Sequence, residues 1–182
     1  KYSFSFANYY NPKMMNFGML RVLNDDTVVP AMGFGTHPHD NMEIITLVSE
    51  GALEHKDSMG TGSVIYKDEV QVMSAGSGIT HSEFNPSDKE GVKLFQIWIF
   101  PKEKNIKPRY DQKSFPISER KNKLIPVVSG LNKEGSLYIH QDAEIYLGNL
   151  EKGKKVNYQI SNPANGAYIL VIDGSLKVGD EA

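Results

Sequence analysis

Cysteine is absent from the chain. Disulfides, thiolate ligands and a cysteine nucleophile are thereby excluded, so any metal must be held by imidazole nitrogen and carboxylate oxygen, a donor set that favours harder metals. Basic character is missing too: 20 Lys and Arg against 22 Asp and Glu leave a formal charge of −2 and a pI near 6.2. With the lysines scattered rather than gathered into a stripe, direct nucleic-acid binding has no electrostatic footprint. No apolar run approaches the ~18 residues of a membrane span, and "KYSFSFANYY" has no basic segment leading into an apolar one. A cytoplasmic protein that does not engage membranes is the expectation. Helical periodicity is almost absent as well, which leaves strands to build the fold.

What is present is β-like. The 182 residues, 40% of them hydrophobic, suffice for one large or two small domains with real cores. Short alternating or β-branched runs recur between Gly, Asn and Asp turns, at "MEIITLVS", "ALEHKDS", "SVIYKDEVQVMS", "GITHSEF" and "KLFQIWIF". Glu50 and Gly51 suit a hairpin turn between the first two. From Pro101 to Pro126 four prolines and many charges mark a connecting segment, with a short helix expected around "RYDQKSF". The domain boundary falls there. "TLVSEGALEHKD" (46–57) can be laid over "ILVIDGSLKVGD" (169–180), as two β-domains of similar build would allow, or as any acidic-Gly hairpin would. In that register Ile160 and Asn162 stand where the first half has His37 and His39. The chain starts at Lys1 rather than Met and stops just after the apparent hairpin at Asp173 and Gly174, so a fragment is the expectation.

The chemistry gathers in two short motifs. In "GFGTHPHDNMEI", His37, His39 and Glu43 would share one face of an extended segment, because side chains alternate with a period of two. In "SAGSGITHSEFN", about forty residues on, His81 and Glu83 share a face in the same way. Closing a sheet into a small barrel can bring the two strands together and surround one cation with three imidazoles and a carboxylate. His55, in "EHKDS", has suitable parity but lies past a turn, and reads as a partly exposed strand histidine rather than a ligand. His140 reads as structural. "SAGSG" is a tight turn, not a phosphate cradle, since neither a lysine nor a helix start follows it.

These motifs, together with "FSFANYY", "VQVMSAGSGITHSEFN", "LFQIWIFP", "PRYDQKSF" and "IHQDAEIYLG", resemble the pirin family of the cupin superfamily along essentially the whole chain, and look most like its bacterial members with quercetin 2,3-dioxygenase activity. The resemblance implies an all-β bicupin of two small barrels. Residues 1–115 would form the metal-binding cupin, and residues 121–182 a second cupin with no metal site, cut short at Ala182. One divalent metal per chain, usually Fe(II), would be held by His37, His39, His81 and Glu83; Mn, Co, Ni, Cu or Zn suit nitrogen and oxygen ligands as well. Glu43 would sit beside the ligands without ligating. Four ligands on an octahedral metal leave room for a small aromatic substrate and O2, with Glu83 as general base toward a flavonol 3-hydroxyl and carbon monoxide as a product. Phe34, Met42, Met73 and Phe84 are candidates to line a dry pocket, or simply core. The alternative reading is a metal-dependent redox-sensing protein that acts on a protein partner without turnover. A closed structural zinc site is a further option, and a homodimer is possible.

Overall fold

The computed structural model describes residues 1–179. Apart from one helical turn, α1 (Ile117–Arg120), its regular elements are strands: β1 (Leu20–Val28), β2 (Gly33–His39), β3 (Glu43–Glu50), β4 (Ala52–Asp57), β5 (Gly62–Tyr66), β6 (Glu69–Ser74), β7 (Ile79–Phe84), β8 (Val92–Ile99), β9 (Arg109–Ser114), β10 (Leu124–Ser129), β11 (Leu137–Tyr138) and β12 (Glu144–Gly148). A five-stranded sheet in the order β1-β8-β3-β6-β9 faces a four-stranded sheet in the order β2-β7-β4-β5. A third sheet, β11-β10-β12, packs on the back of the first. This is an all-β bicupin architecture.

The five-stranded sheet is buried on both faces, which explains the continuous apolar reading of β3 and β8. Along β3, Val48 packs toward the four-stranded sheet with Leu53 and Ile65. Its neighbours Ile45 and Leu47 point the other way, into a core shared with Val127, Val128, Leu137 and Ile139 of the C-terminal segment. By contrast β7 alternates strictly: Ile79, His81 and Glu83 are buried, while Thr80 and Phe84 are exposed. That alternation turns the "HSE" motif inward.

Three expectations are corrected. No hairpin forms at Glu50 and Gly51, because β3 pairs with β6 and β8 while β4 pairs with β5 and β7. Gly51 is instead a corner between sheets, at φ +76° with a Cβ position only 2.9 Å from the Gly91 carbonyl oxygen, where a side chain would not fit. "RYDQKSF" is not helical. It is the edge strand β9, paired along its length with β6, and its alternating charges suit an exposed sheet edge. In the C-terminal segment, "AYILVI" (167–172) forms no strand and is exposed, Ile172 by 59%. It pairs with neither the first domain nor its own hairpin, so the register drawn between the two halves has no structural counterpart; its last position, Asp180, lies outside the described residues. Among the described residues no helix is long and apolar enough to cross a membrane.

Candidate metal centre and its cavity

Strands β2 and β7 run antiparallel with His37 directly opposite His81. Gly33 permits their close approach, since a Cβ there would run into the Glu83 and Phe84 backbone. A register shift between Phe34 and His37 resets the pairing so that His37 and His39 fall on the side of His81. The ring centroids of His37, His39 and His81 are 4.4 to 5.0 Å apart. One nitrogen from each ring lies within 4.8 Å of the others. His37 Nδ1 is 2.8 Å from the Gly35 carbonyl oxygen, so with the proton on Nδ1 its Nε2 is left with a free lone pair.

Glu83 is 3% exposed. Gln96 Nε2 donates to both of its carboxylate oxygens at 2.9 Å, and Thr46 Oγ1 donates at 3.2 Å. Burial pushes its carboxyl up to about 7, against the pull of those two donors, with the nearby Asp26 charge adding to the rise. Burial, reinforced by the neighbouring imidazoles, pushes His39 down to about 4 and His81 down to about 3. Neutral imidazole is the metal-binding form, and both nitrogens of His81 are buried without a hydrogen-bond partner. A cation satisfies a convergent set of lone pairs at once, and the donor set fits one divalent metal.

Glu43 stands elsewhere. The chain turns at Asn41, in a left-handed conformation with φ 44°, and Glu43 opens β3 in the other sheet, so parity from His39 does not carry across. Its Oε2 accepts from Ser74 Oγ at 2.8 Å and its Oε1 lies 3.3 Å from His140 Nδ1. Neither partner is one of the clustered imidazoles. His55 also departs from expectation: it is fully buried, because β4 is an inner strand flanked by β5 and β7. Directly opposite Glu83, it forms with His81 and Glu83 a second convergent group. Its Nε2 is 3.1 Å from Asp57 Oδ2, and Asp57 Oδ1 is held by the backbone N–H groups of Met59 and Thr61.

The three clustered histidines and Glu83 open into a cavity of about 540 Å³. Phe34 lines it as expected, but Met42, Met73 and Phe84 do not. Met73 is core with Ile44 and Ile79, Met42 packs against that core, and Phe84 points outward from β7, 39% exposed. The aromatic wall comes instead from Tyr2, Phe6 and Trp98, with Trp98 set edge-on to His39 at 4.9 Å. Gln96, Thr46 and Gln71 were also missed. They lie side by side on neighbouring strands, and their only sequence signal is a polar residue inside an apolar strand.

Comparison with known proteins gives this arrangement a lineage. The chain is 46% identical over 177 residues to a quercetin 2,3-dioxygenase of Escherichia coli K12, an alignment covering 97% of this chain and 75% of that protein. It is 42% identical over 180 residues to a putative quercetin 2,3-dioxygenase of Pasteurella multocida, covering 98% and 76%. The crystal structure of the bacterial pirin YhhW from Escherichia coli in complex with nickel(II) superposes with a TM-score of 0.75 at 50% identity. That match covers 80% of this chain but only 61% of the solved one. A model of the quercetinase C-terminal cupin domain matches residues 126–182, and the Pirin model matches residues 1–99. Since that longer match contains His37, His39, His81 and Glu83 within more than half of the sequence, the chain belongs to the pirin family.

Proposed function

We propose that this chain is a metal-dependent dioxygenase that cleaves a flavonol such as quercetin. Residues 1–115 form the cupin that holds one divalent metal, Fe(II) by preference, through His37, His39, His81 and Glu83, and residues 121–182 form a cupin that holds none. The observation that carries the reading is the joining of three convergent imidazoles to an aromatic-walled cavity with a buried carboxylate in the same wall. Cavities of this size are typical of small-molecule sites. When bound, the metal supplies Lewis acidity toward a substrate hydroxyl and redox chemistry toward O2.

The protein's part is positional and protolytic. Tyr2, Phe6, Phe34 and Trp98 offer flat apolar surface to a planar ring system and exclude water from it. Glu83 takes the proton of the flavonol 3-hydroxyl. Without metal, burial holds its carboxyl up at about 7; a bound cation favours the ionised form, so in the loaded protein Glu83 stands as a carboxylate able to accept the proton. Gln96 and Thr46 fix the carboxylate in place and stabilise its charged form. The electron-rich flavonolate then reacts with O2, its heterocycle opens and carbon monoxide leaves. The named activities of the Escherichia coli and Pasteurella relatives support this choice of substrate.

Metal analysis of protein purified without added metal, followed by oxygen uptake and carbon monoxide release with quercetin, tests the proposal. Uptake that scales with metal content supports it. Metal-loaded protein that consumes no oxygen with any flavonol contradicts it, and redox-dependent capture of a protein partner would then be the better account.

A further inference from the structure

Beside Glu83, the cavity wall carries two groups for which the proposed chemistry has no use. Strand β1 brings Asn24 and Asp26 there, and both line the cavity. Alternation along β1 separates them from Leu23, which packs in the core behind the sheet. Asn24 lies opposite Gln96, the residue that grips Glu83, and Asp26 lies opposite Leu94, two positions further along. Asn24 is 2% exposed, yet its Oδ1 has no hydrogen-bond partner. A buried carbonyl in that state is destabilising unless something completes it. Among the described residues the Asp26 carboxylate also has no hydrogen-bond or ion-pair partner, and burial holds it above its ordinary range. No lysine or arginine lines the cavity. Away from the imidazoles, its polar wall therefore carries acceptors and no basic side chain.

We infer that Asp26 and Asn24 form a hydroxyl-recognition subsite for a phenolic O–H other than the one that faces the metal ligands: the hydroxyl donates to the Asp26 carboxylate and packs against the Asn24 amide. The inference rests on the proposed flavonol chemistry and refines it: the ligands favoured are neutral, polyhydroxylated aromatics. A ring stripped of that hydroxyl leaves the half-buried Asp26 carboxylate unpaired. A ring that carries a carboxylate there meets like charge from Asp26 and Glu83.

The sole tryptophan, Trp98, lines the same cavity and reports its occupancy without turnover. Zinc-loaded protein is titrated without oxygen against quercetin and against 3-hydroxyflavone, which lacks every other hydroxyl. The wild-type protein should bind quercetin about tenfold more tightly or better. Asn24→Ala and Asp26→Ala should each erode that preference while leaving affinity for 3-hydroxyflavone unchanged, which also shows that the cavity has folded. Equal binding of the two flavonols by wild-type protein overturns the subsite with no variant needed, as does a folded variant that keeps the full preference; in both cases the proposed function stands. Protein that binds neither flavonol overturns the proposed function and the subsite together.

Discussion

The two faces of the five-stranded sheet use histidine in opposite ways. On the cavity face, His81 is buried with both nitrogens unpartnered and two further imidazoles within reach. On the C-terminal face, His140 sits 3.3 Å from the buried carboxylate of Glu43, with the Tyr138 ring packed edge-on against it. The first arrangement holds lone pairs ready for a cation and has no stabilising purpose of its own. The second supplies a buried carboxylate with the partner it requires. The same strand, β3, feeds both faces: Thr46 reaches Glu83, while Glu43 reaches His140. The two histidines are therefore told apart by what faces their nitrogens: other imidazoles in the first case, a carboxylate in the second.

The sharpest test of that contrast is to remove one imidazole from each face. His81→Ala should abolish metal binding and oxygen uptake, whereas His140→Ala should keep a full metal content by elemental analysis. Loss of metal from both variants would erase the distinction. Within the cavity face, Glu83→Gln keeps the shape and one acceptor oxygen but loses the base, so turnover with quercetin should fall about a hundredfold or more even where metal remains bound. Undiminished turnover would take the proton-transfer role away from Glu83.

Across the sheet, Glu43→Ala should leave metal content and turnover nearly intact. It should nevertheless cost about 1–3 kcal/mol in chemical denaturation, because Ser74 and His140 lose their shared acceptor. A variant of normal stability that has lost its metal would make Glu43 one of the groups that hold it.

A further effect concerns pH in metal-free protein. His39 and His81 titrate below their ordinary value of 6.5, near 4 and 3, so the unfolded chain binds more protons in that window and stability is lost as pH falls through it. Glu83 titrates above its ordinary 4.5, near 7, so its contribution runs the other way and is lost as pH rises between those values. Two imidazoles outweigh one carboxyl. Stability should decline gently from pH 6.5 to 4.5, more steeply from there to about pH 4 and gently again to about pH 3, and Glu83→Gln should steepen the upper part. A stability that is flat in acid would contradict the lowered imidazole values.

The inward faces of β2 and β7 were legible because "HPH" and "HSE" each obey a two-residue period within a single strand, where local geometry decides everything. Glu43 was misplaced because that period was carried across Asn41, and a turn leaves no mark on a count of residues. His55 was misjudged for a related reason. Its burial depends on β4 lying between β5 and β7, a non-local pairing, and the acidic-Gly turn before it resembles a hairpin whether or not the strands it joins share a sheet. The pocket was half legible: Phe34 lies on β2 together with His37 and His39, but Tyr2, Phe6, Asn24 and Trp98 come from distant segments. Thr46 and Gln96 could have been singled out as polar residues in apolar strands, although which face they take follows only from the packed sheets.

The central claim is that His37, His39, His81 and Glu83 together hold one metal ion and that the C-terminal segment holds none. Anomalous diffraction at the metal edge from crystals of the loaded protein tests this directly. The account predicts a single peak with ligand distances of ~2.0 to 2.3 Å to three imidazole nitrogens and one Glu83 oxygen. A peak held instead by His55, or one at Glu43 and His140, would contradict it.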